Sequence, residues 1–405
     1  MNKPYVSVLM GVQNTEELVG EAIESVLNQT YQNFEFIILD DGSDDRTPEI
    51  IQAYAQKDSR IKPYFFKEKQ GISLGCNFTL ERAQGELIAR IDGDDCWFPE
   101  KLEKQVEYME THSDIGACFT WVKVIDQDGN ELDSSLSEHR AAIFNAHNRT
   151  HEEWYRDLFY EGCRMAHPSS VVRKTVFKEV GVYNPSFRQL LDYELWVRII
   201  KKYQIHMIEE ILMAYRWVCG QNVSAASNEV MFRTYYEMYK ILNKYFIDIE
   251  DDFFIASFKE KFRNREVQSP VGLKCEKAFL LLDYHFYHDI GRLSALNLFS
   301  ELLEDMEGRN ILKSQYGFDT FDFHKIQSEP IFYHSSLEKW PEAFEAHVHY
   351  LENLNEHLTG QAGYYQEELM KAQRYIADIQ PELDYFRGSF GYKIYNRKAK
   401  KKEGN

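Results

Sequence analysis

Asp92, Asp94 and Asp95 fall within one short stretch, Ile91-Asp92-Gly93-Asp94-Asp95. Carboxylates packed this densely repel one another unless a cation or a donor-rich ligand sits among them. In an extended chain Asp92 and Asp94 project to one side and Asp95 to the other. Such hard oxygen ligands suit magnesium or manganese bridged to the oxygens of a diphosphate. The alternative is an acidic turn in which one Asp caps the next helix. A second acidic group, Leu39-Asp40-Asp41-Gly42-Ser43, offers a carboxylate to the imide or amino group of a base, or shapes a turn. Asp192, in Leu191-Asp192-Tyr193-Glu194-Leu195-Trp196, stands at the start of a helical pattern as a general base or as an N-cap.

The first two acidic groups follow short apolar runs that read as strands. Tyr5–Val12, Phe34–Leu39, Ile61–Phe66 and Leu87–Ile91 are such runs. Between them lie helical patterns at Glu16–Gln29, from Thr47-Pro48 to Tyr54, and at Leu74–Ala83. Thr47 is read as the N-cap of its helix and Pro48 as a first-turn proline. Pro99 opens a further helix with Leu102, Val106 and Met109 on one stripe. Strands alternating with helices predict a mostly parallel sheet covered on both faces, with ligands at the carboxyl ends of the strands. After Ile115–Ile125, Asp126-Gln127-Asp128-Gly129-Asn130 reads as a turn, because its glycine is misplaced for an EF-hand loop. The last block of this region runs through Pro168–Val172, Val176–Val180, Leu195–Ile200 and Ile208–Tyr215.

The 405 residues are expected to form more than one domain. Lys and Arg number 47 against 65 Asp and Glu, a formal net charge of −18, which disfavours binding to nucleic acid. No apolar run has the length of a membrane-spanning helix, and Met1 to Tyr5 does not resemble a secretory signal. The six cysteines include no CxxC pair. A reduced, cytoplasmic protein is therefore expected.

Taken in order, these segments resemble a family-2 glycosyltransferase with the GT-A fold. The resemblance rests on Val6-Ser7-Val8-Leu9-Met10, Glu24-Ser25-Val26-Leu27-Asn28-Gln29-Thr30-Tyr31, Asp40-Asp41-Gly42-Ser43-Asp44-Asp45 and Ile91-Asp92-Gly93-Asp94-Asp95. It continues through His167-Pro168-Ser169-Ser170, Val180-Gly181-Val182-Tyr183 and Asp192-Tyr193-Glu194-Leu195-Trp196, so it covers about residues 4 to 225. It implies a Rossmann-like, mostly parallel sheet sandwiched by helices. It also implies inverting transfer of a sugar from a nucleotide-diphosphate donor, UDP-sugar first, to a hydroxyl of a glycan. By position, Asp41 holds the base and Asp92 lies by the ribose and the metal. Asp94 is the main ligand of a divalent metal, manganese or magnesium, with Asp95 second, and Asp192 is the catalytic base. His167 faces donor or acceptor or, as a lone His before Pro, is structural, and Gly71 and Asn77 keep the outline of the family's loop.

The match departs from the family at named positions. Gln13 stands where an aromatic commonly stacks near the base, Leu191 replaces the Glu before the catalytic Asp, and Val218 replaces a His after Tyr215-Arg216. These departures support, as an alternative, a non-catalytic glycan- or partner-binding protein on a degenerate transferase fold. A nucleotidyltransferase is disfavoured because no basic Gly-rich loop follows the first strand.

The expected organisation is a GT-A domain over 1–225, a helical region over 226–360, and a heptad-like helix with a basic aromatic tail over 361–405. The heptad-like stripe runs from Tyr365 to Phe386, interrupted by Pro381, and suggests a homo-oligomer. Between Arg387 and Lys402 stand seven basic residues and no acidic one. That is the pattern of a solvated tail or of peripheral contact with anionic lipid on the inner face of a membrane. Expected acceptors are a lipid-linked glycan, a cell-surface polysaccharide or a glycoprotein glycan.

Overall fold

The computed structural model describes residues 3–131, 141–217 and 227–329. The chain forms two compact units, Met1–Phe323 and His324–Asn405. The sheet, the acidic loops and the helices as far as Tyr316 belong to the first. The heptad-like stripe and the basic tail at 387–402 lie outside the described residues.

Among the described residues eight strands make one sheet: β1 (Val6–Val12), β2 (Phe34–Asp40), β3 (Ile61–Phe65), β4 (Leu87–Arg90), β5 (Cys96–Trp97), β6 (Ile115–Ile125), β7 (Val171–Arg173) and β8 (Gln204–Arg216). Their spatial order is β3-β2-β1-β4-β7-β6-β8-β5. The β3-β2-β1-β4 half is wholly parallel. Beyond β4 the sheet is mixed, because β7 runs antiparallel to both β4 and β6 while β6 and β8 are parallel. The expected parallel character thus belongs to the first half.

β2 is buried along its whole length and β1 at all but Gly11. That is why both read as continuous apolar runs rather than alternating ones. The connecting helices α1 (Val19–Leu27), α2 (Thr47–Lys57), α3 (Ile72–Arg82) and α4 (Lys101–Thr111) cover the sheet. Val19, Ala22, Ile23 and Val26 of α1 are fully buried, and each large aliphatic side chain so buried contributes about 1.5–3 kcal/mol. Thr47 is the first residue of α2 rather than its cap; Arg46 holds the cap position. The Thr47 hydroxyl is taken instead by the Thr15 N–H at 2.9 Å, so it ties the two loops that leave β1 and β2.

Helices α5 (His151–Glu161), α6 (Lys174–Val180) and α7 (Leu191–Ile200) complete the sheet region. Helices α8 (Asn228–Tyr245), α9 (Asp251–Phe258), α10 (Pro270–Leu282), α11 (His288–Glu304) and α12 (Met306–Tyr316) follow it. α5 joins the two sets through rings. Tyr155 and Phe159 of α5 pack on Tyr245, Phe246 and Phe258. The Tyr155 hydroxyl donates to the Tyr245 carbonyl at 2.6 Å, and the Tyr245 hydroxyl returns a bond to the Tyr155 carbonyl at 2.7 Å. Here the aromatic richness of the helices is core, with each buried phenol supplied an acceptor.

Candidate active site

Parallel β2, β1 and β4 end at one edge of the sheet, so the residues after Asp40, Val12 and Arg90 emerge side by side. Three sequence candidates, Asp41, Gln13 and Asp92, therefore share this edge. The acidic loop Ile91–Asp95 is strung between β4 and β5, and β5 is fixed by antiparallel pairing to β8 at Ala214 and Met213. The loop is held at both ends by sheet.

Gly93 lets that loop press against the end of β1. A Cβ at this position would lie 2.3 Å from Val12 Cγ1. Gly93→Ala is expected to destabilise the protein by about 1–3 kcal/mol through overpacking. Val12→Ala in the same chain should recover part of that loss. Thermal unfolding of the single and double variants checks this, and no recovery would place the clash elsewhere.

Two arginines manage the charge. Arg90, almost wholly buried, donates to Asp92 Oδ1 from Nη2 at 2.8 Å and from Nε at 3.2 Å. Arg216 is 1% exposed and works as a clamp. Its backbone N–H donates to Asp95 Oδ1 at 2.8 Å, and its Nε donates to the Asp94 carbonyl at 2.7 Å. Nη1 reaches the carbonyls of Asp126 and Gln127 at 2.9 and 2.8 Å, and Nη2 meets Glu21 Oε2 at 2.7 Å. The Asp126–Asn130 turn, closed by bonds from Gly129 N to Asp126 O and from Asp126 N to Asn130 O, is thus a wall of the site.

Burial, followed by the Asp92 charge, pushes the Asp94 carboxyl up to about 6. Asp95 is raised well above the usual carboxylate range by burial and then by Asp94 and Asp92. Its Oδ2 is buried with no hydrogen-bond partner among the described residues. An orphaned carboxylate oxygen beside a second carboxylate of raised pKa is the donor set a divalent cation fits. Among the described residues no group of three or more His, Cys, Asp or Glu side chains converges as a metal cage. Asp94 and Asp95 would hold a cation of the magnesium or manganese kind, which ordinarily completes its shell with waters and substrate phosphates.

Asp192 is the second residue of α7, not its cap; Leu190 holds that position. Its Oδ1 accepts from the Tyr193 N–H at 2.8 Å. Burial first, then the like charges of Asp92 and Glu237, raises its carboxyl to about 6. Asp92, Asp94, Asp95 and Asp192 all bear on the Tyr215 phenol and help burial to raise it. Asp192 and the acidic loop are thus near enough for their charges to act on one phenol.

The other candidates sit around this centre in different roles. Asp40 turns the chain locally, accepting from the Ser43 N–H and hydroxyl. Asp41, 8% exposed, accepts from Gln70 N at 2.7 Å and Gly71 N at 2.8 Å. It thereby anchors the loop ahead of α3, where Gly71 has φ +96°. Gln13 is half-buried at the end of β1. His167 is buried, with Nε2 2.8 Å from the Tyr183 hydroxyl. Burial and then the Arg90 cation lower its pKa to about 3, so its imidazole is neutral. Asn77 bonds both the N–H and the carbonyl of Tyr183, which ties α3 to the segment before α7. A cavity of about 620 Å³ has Asn77 itself in its wall, with Phe66, Leu74, Phe78, Lys178 and Val182. None of the site carboxylates lines it.

Sequence reasoning missed Arg90, Glu21 and Glu237, and met Tyr183 only as part of a family motif. Only Arg90 carries a local signal, since the two-residue spacing to Asp92 at a strand end puts both on one side.

The sheet, the paired acidic loops and the Asp192 carboxylate define a nucleotide-sugar transferase class. The family described as Glycosyl transferase family 2 matches residues 7–181. An uncharacterized glycosyltransferase of Methanocaldococcus jannaschii is 35% identical over 243 residues, covering 59% of this chain and 79% of the relative. TuaG of Bacillus subtilis, whose name assigns it provisionally to teichuronic acid biosynthesis, is 32% identical over 56% of this chain and 83% of its own. Among solved structures, S. aureus TarS 1-349 in complex with UDP-GlcNAc shares the fold, with a TM-score of 0.50 at 16% identity. That match covers 77% of this chain and 91% of TarS 1-349. The chain belongs to glycosyltransferase family 2 and is an enzyme of that class.

Proposed function

We propose that this enzyme moves a sugar, with inversion, from a nucleotide-diphosphate donor to a hydroxyl of a cell-surface glycan. UDP-sugar is the proposed donor, and the acceptor is a lipid-linked or growing polysaccharide before a glycoprotein glycan. The observation that carries this reading is Asp192, a carboxyl at the start of α7 that burial and the nearby Asp92 charge raise to about 6. Near neutral pH it is ionised yet basic enough to take the acceptor's proton as the hydroxyl attacks. A single displacement needs no protein nucleophile. Arg90 and Asp92 set the position of the ribose side, and Asp41 fixes the loop that borders the base. When bound, a divalent cation supplies Lewis-acid neutralisation of the leaving diphosphate. TuaG, in its provisional role, supports a polysaccharide acceptor. No described helix is long and apolar enough to cross a membrane. A cytoplasmic location, peripheral membrane contact through 387–402 and assembly through the C-terminal helices are part of the proposal.

The deciding experiment is a donor screen: hydrolysis of UDP-, GDP- and dTDP-sugars, UDP-GlcNAc included, with and without manganese. Metal-dependent release of one nucleotide establishes the donor. Binding of none, with an acceptor glycan mixture present, assigns the chain to the non-catalytic alternative.

The pH profile offers an independent check. Burial raises the Asp94 and Asp192 carboxyls to about 6 and Asp95 well above the usual range, and in this reading the base and the metal-holding carboxylates must be ionised. Under limiting metal, log kcat/KM should fall toward acid pH with a slope above one. Saturating metal holds Asp94 and Asp95 ionised and should leave a slope of one. An acid limb near 4 would place the base elsewhere.

A further inference from the structure

The helix carrying Asp192 begins without a cap of its own: Leu190 at the cap position makes no side-chain bond. The N–H groups ahead of it turn instead to a buried carboxylate from another element. Glu237 Oε1 accepts from Arg188 N at 2.8 Å, and Oε2 accepts from Gln189 N at 2.9 Å and Leu190 N at 2.8 Å. Glu237 is 2% exposed. It belongs to α8, beyond the residues 7–181 that match the family.

Glu237 does not act alone. Arg233, Glu237 and Lys240 are spaced to share one face of α8. Arg233 Nη1 donates to Gln189 Oε1 at 2.7 Å. Lys240 Nζ donates to the Ser186 hydroxyl and stands 4.3 Å from the centre of the Phe187 ring. Every residue from 186 to 190 is thereby held by this face. From α3 the Ser73 hydroxyl donates to the Phe187 carbonyl at 2.5 Å. Charge-assisted bonds from a buried carboxylate are strong, and losing them would leave several backbone donors unpaired in a buried place.

We propose that Glu237 is a positioning residue of the transfer reaction, its carboxylate fixing the 188–190 turn so that Asp192 faces the acidic loop. This rests on the reading of Asp192 as base. The role is specific to the base, because the segment held leads directly into the turn of α7 that bears it. Glu237 touches neither Asp41 nor Arg90, so the donor side is left alone. With Leu191 where the family carries a Glu, the second carboxylate near the base comes from α8.

The test is a cycle of Glu237→Gln, Asp192→Asn and the double variant, assayed for transfer and for nucleotide binding by calorimetry. Gln keeps the size but turns an N–H₂ donor toward backbone donors. E237Q should lower kcat by about 10–100-fold, the cost of a misplaced base. The donor KM should stay within about twofold and the binding stoichiometry should not change. In the D192N background, E237Q should change the residual rate by no more than about twofold. An equal loss in both backgrounds, or a loss matched by a rise in KM, would make Glu237 ordinary fold support and overturn the proposal. Full activity in D192N would instead remove the base reading itself. If E237Q does not fold, Arg233→Ala and Lys240→Met, which loosen the same segment from half-buried positions, enter the same cycle with the same criteria.

Discussion

Asp192→Asn should cut sugar transfer by about 10²–10⁴-fold, the range a positioned general base contributes, while nucleotide and metal affinity stay unchanged. It should also make the protein harder to unfold at pH 7.5. The Asp192 carboxyl titrates near 6 in the folded chain against an ordinary 3.8. The folded state therefore keeps this proton to higher pH than the unfolded chain does. The contribution to stability is complete below about 4, is lost as pH rises to 6, and is absent above that. Asn imitates the protonated form and keeps the bond from the Tyr193 N–H. At pH 7.5 the variant should gain about 1–2 kcal/mol after allowance for solvent screening, a few degrees in Tm. At pH 4 the two proteins should unfold together. An inactive variant of higher Tm cannot be a misfolded one, so paired activity and unfolding curves check the base assignment directly. Retained turnover would mean that another group takes the proton.

Asp94→Ala carries the other large effect. Loss of metal-assisted charge neutralisation is worth several kcal/mol, so donor turnover should fall about 10²–10⁴-fold. The variant should not respond to manganese added after chelation. A second readout avoids catalysis. Manganese should raise the unfolding temperature of the wild-type chain by mass action and leave that of the variant where it was. The raised carboxyl of Asp94 and the orphaned Oδ2 of Asp95 are both unfavourable without a cation, which is why the shift should be large. An equal manganese response in the variant would transfer the role of main ligand to Asp95.

What the sequence announces here, and what it hides, follows from the range of the interactions. β1, β2 and β4 are legible because burial on both faces writes itself as unbroken apolar runs. The acidic loops are legible because their carboxylates are neighbours in the chain. Asp192 is placed correctly near a helix start, yet its release from capping duty is not legible. That release depends on Glu237, 47 residues from Leu190. Arg216 lies 121 residues from Asp95, so Tyr215-Arg216 reads as a family pattern without showing that its guanidinium clamps the acidic loop. Thr47 misleads for a related reason. A Thr before Pro has the composition of a cap, but a partner 32 residues away, Thr15, claims its hydroxyl.

The grip of α8 on residues 186–190 also bears on how the enzyme comes into being. Synthesis runs from the N-terminus, and the sheet with both acidic loops can fold as it leaves the ribosome. The turn before Asp192 cannot close until residue 237 has emerged as well. If Asp192 is the base, as proposed, a nascent or prematurely terminated chain would hold its sheet complete but that carboxylate adrift, and completion of the centre would wait for α8.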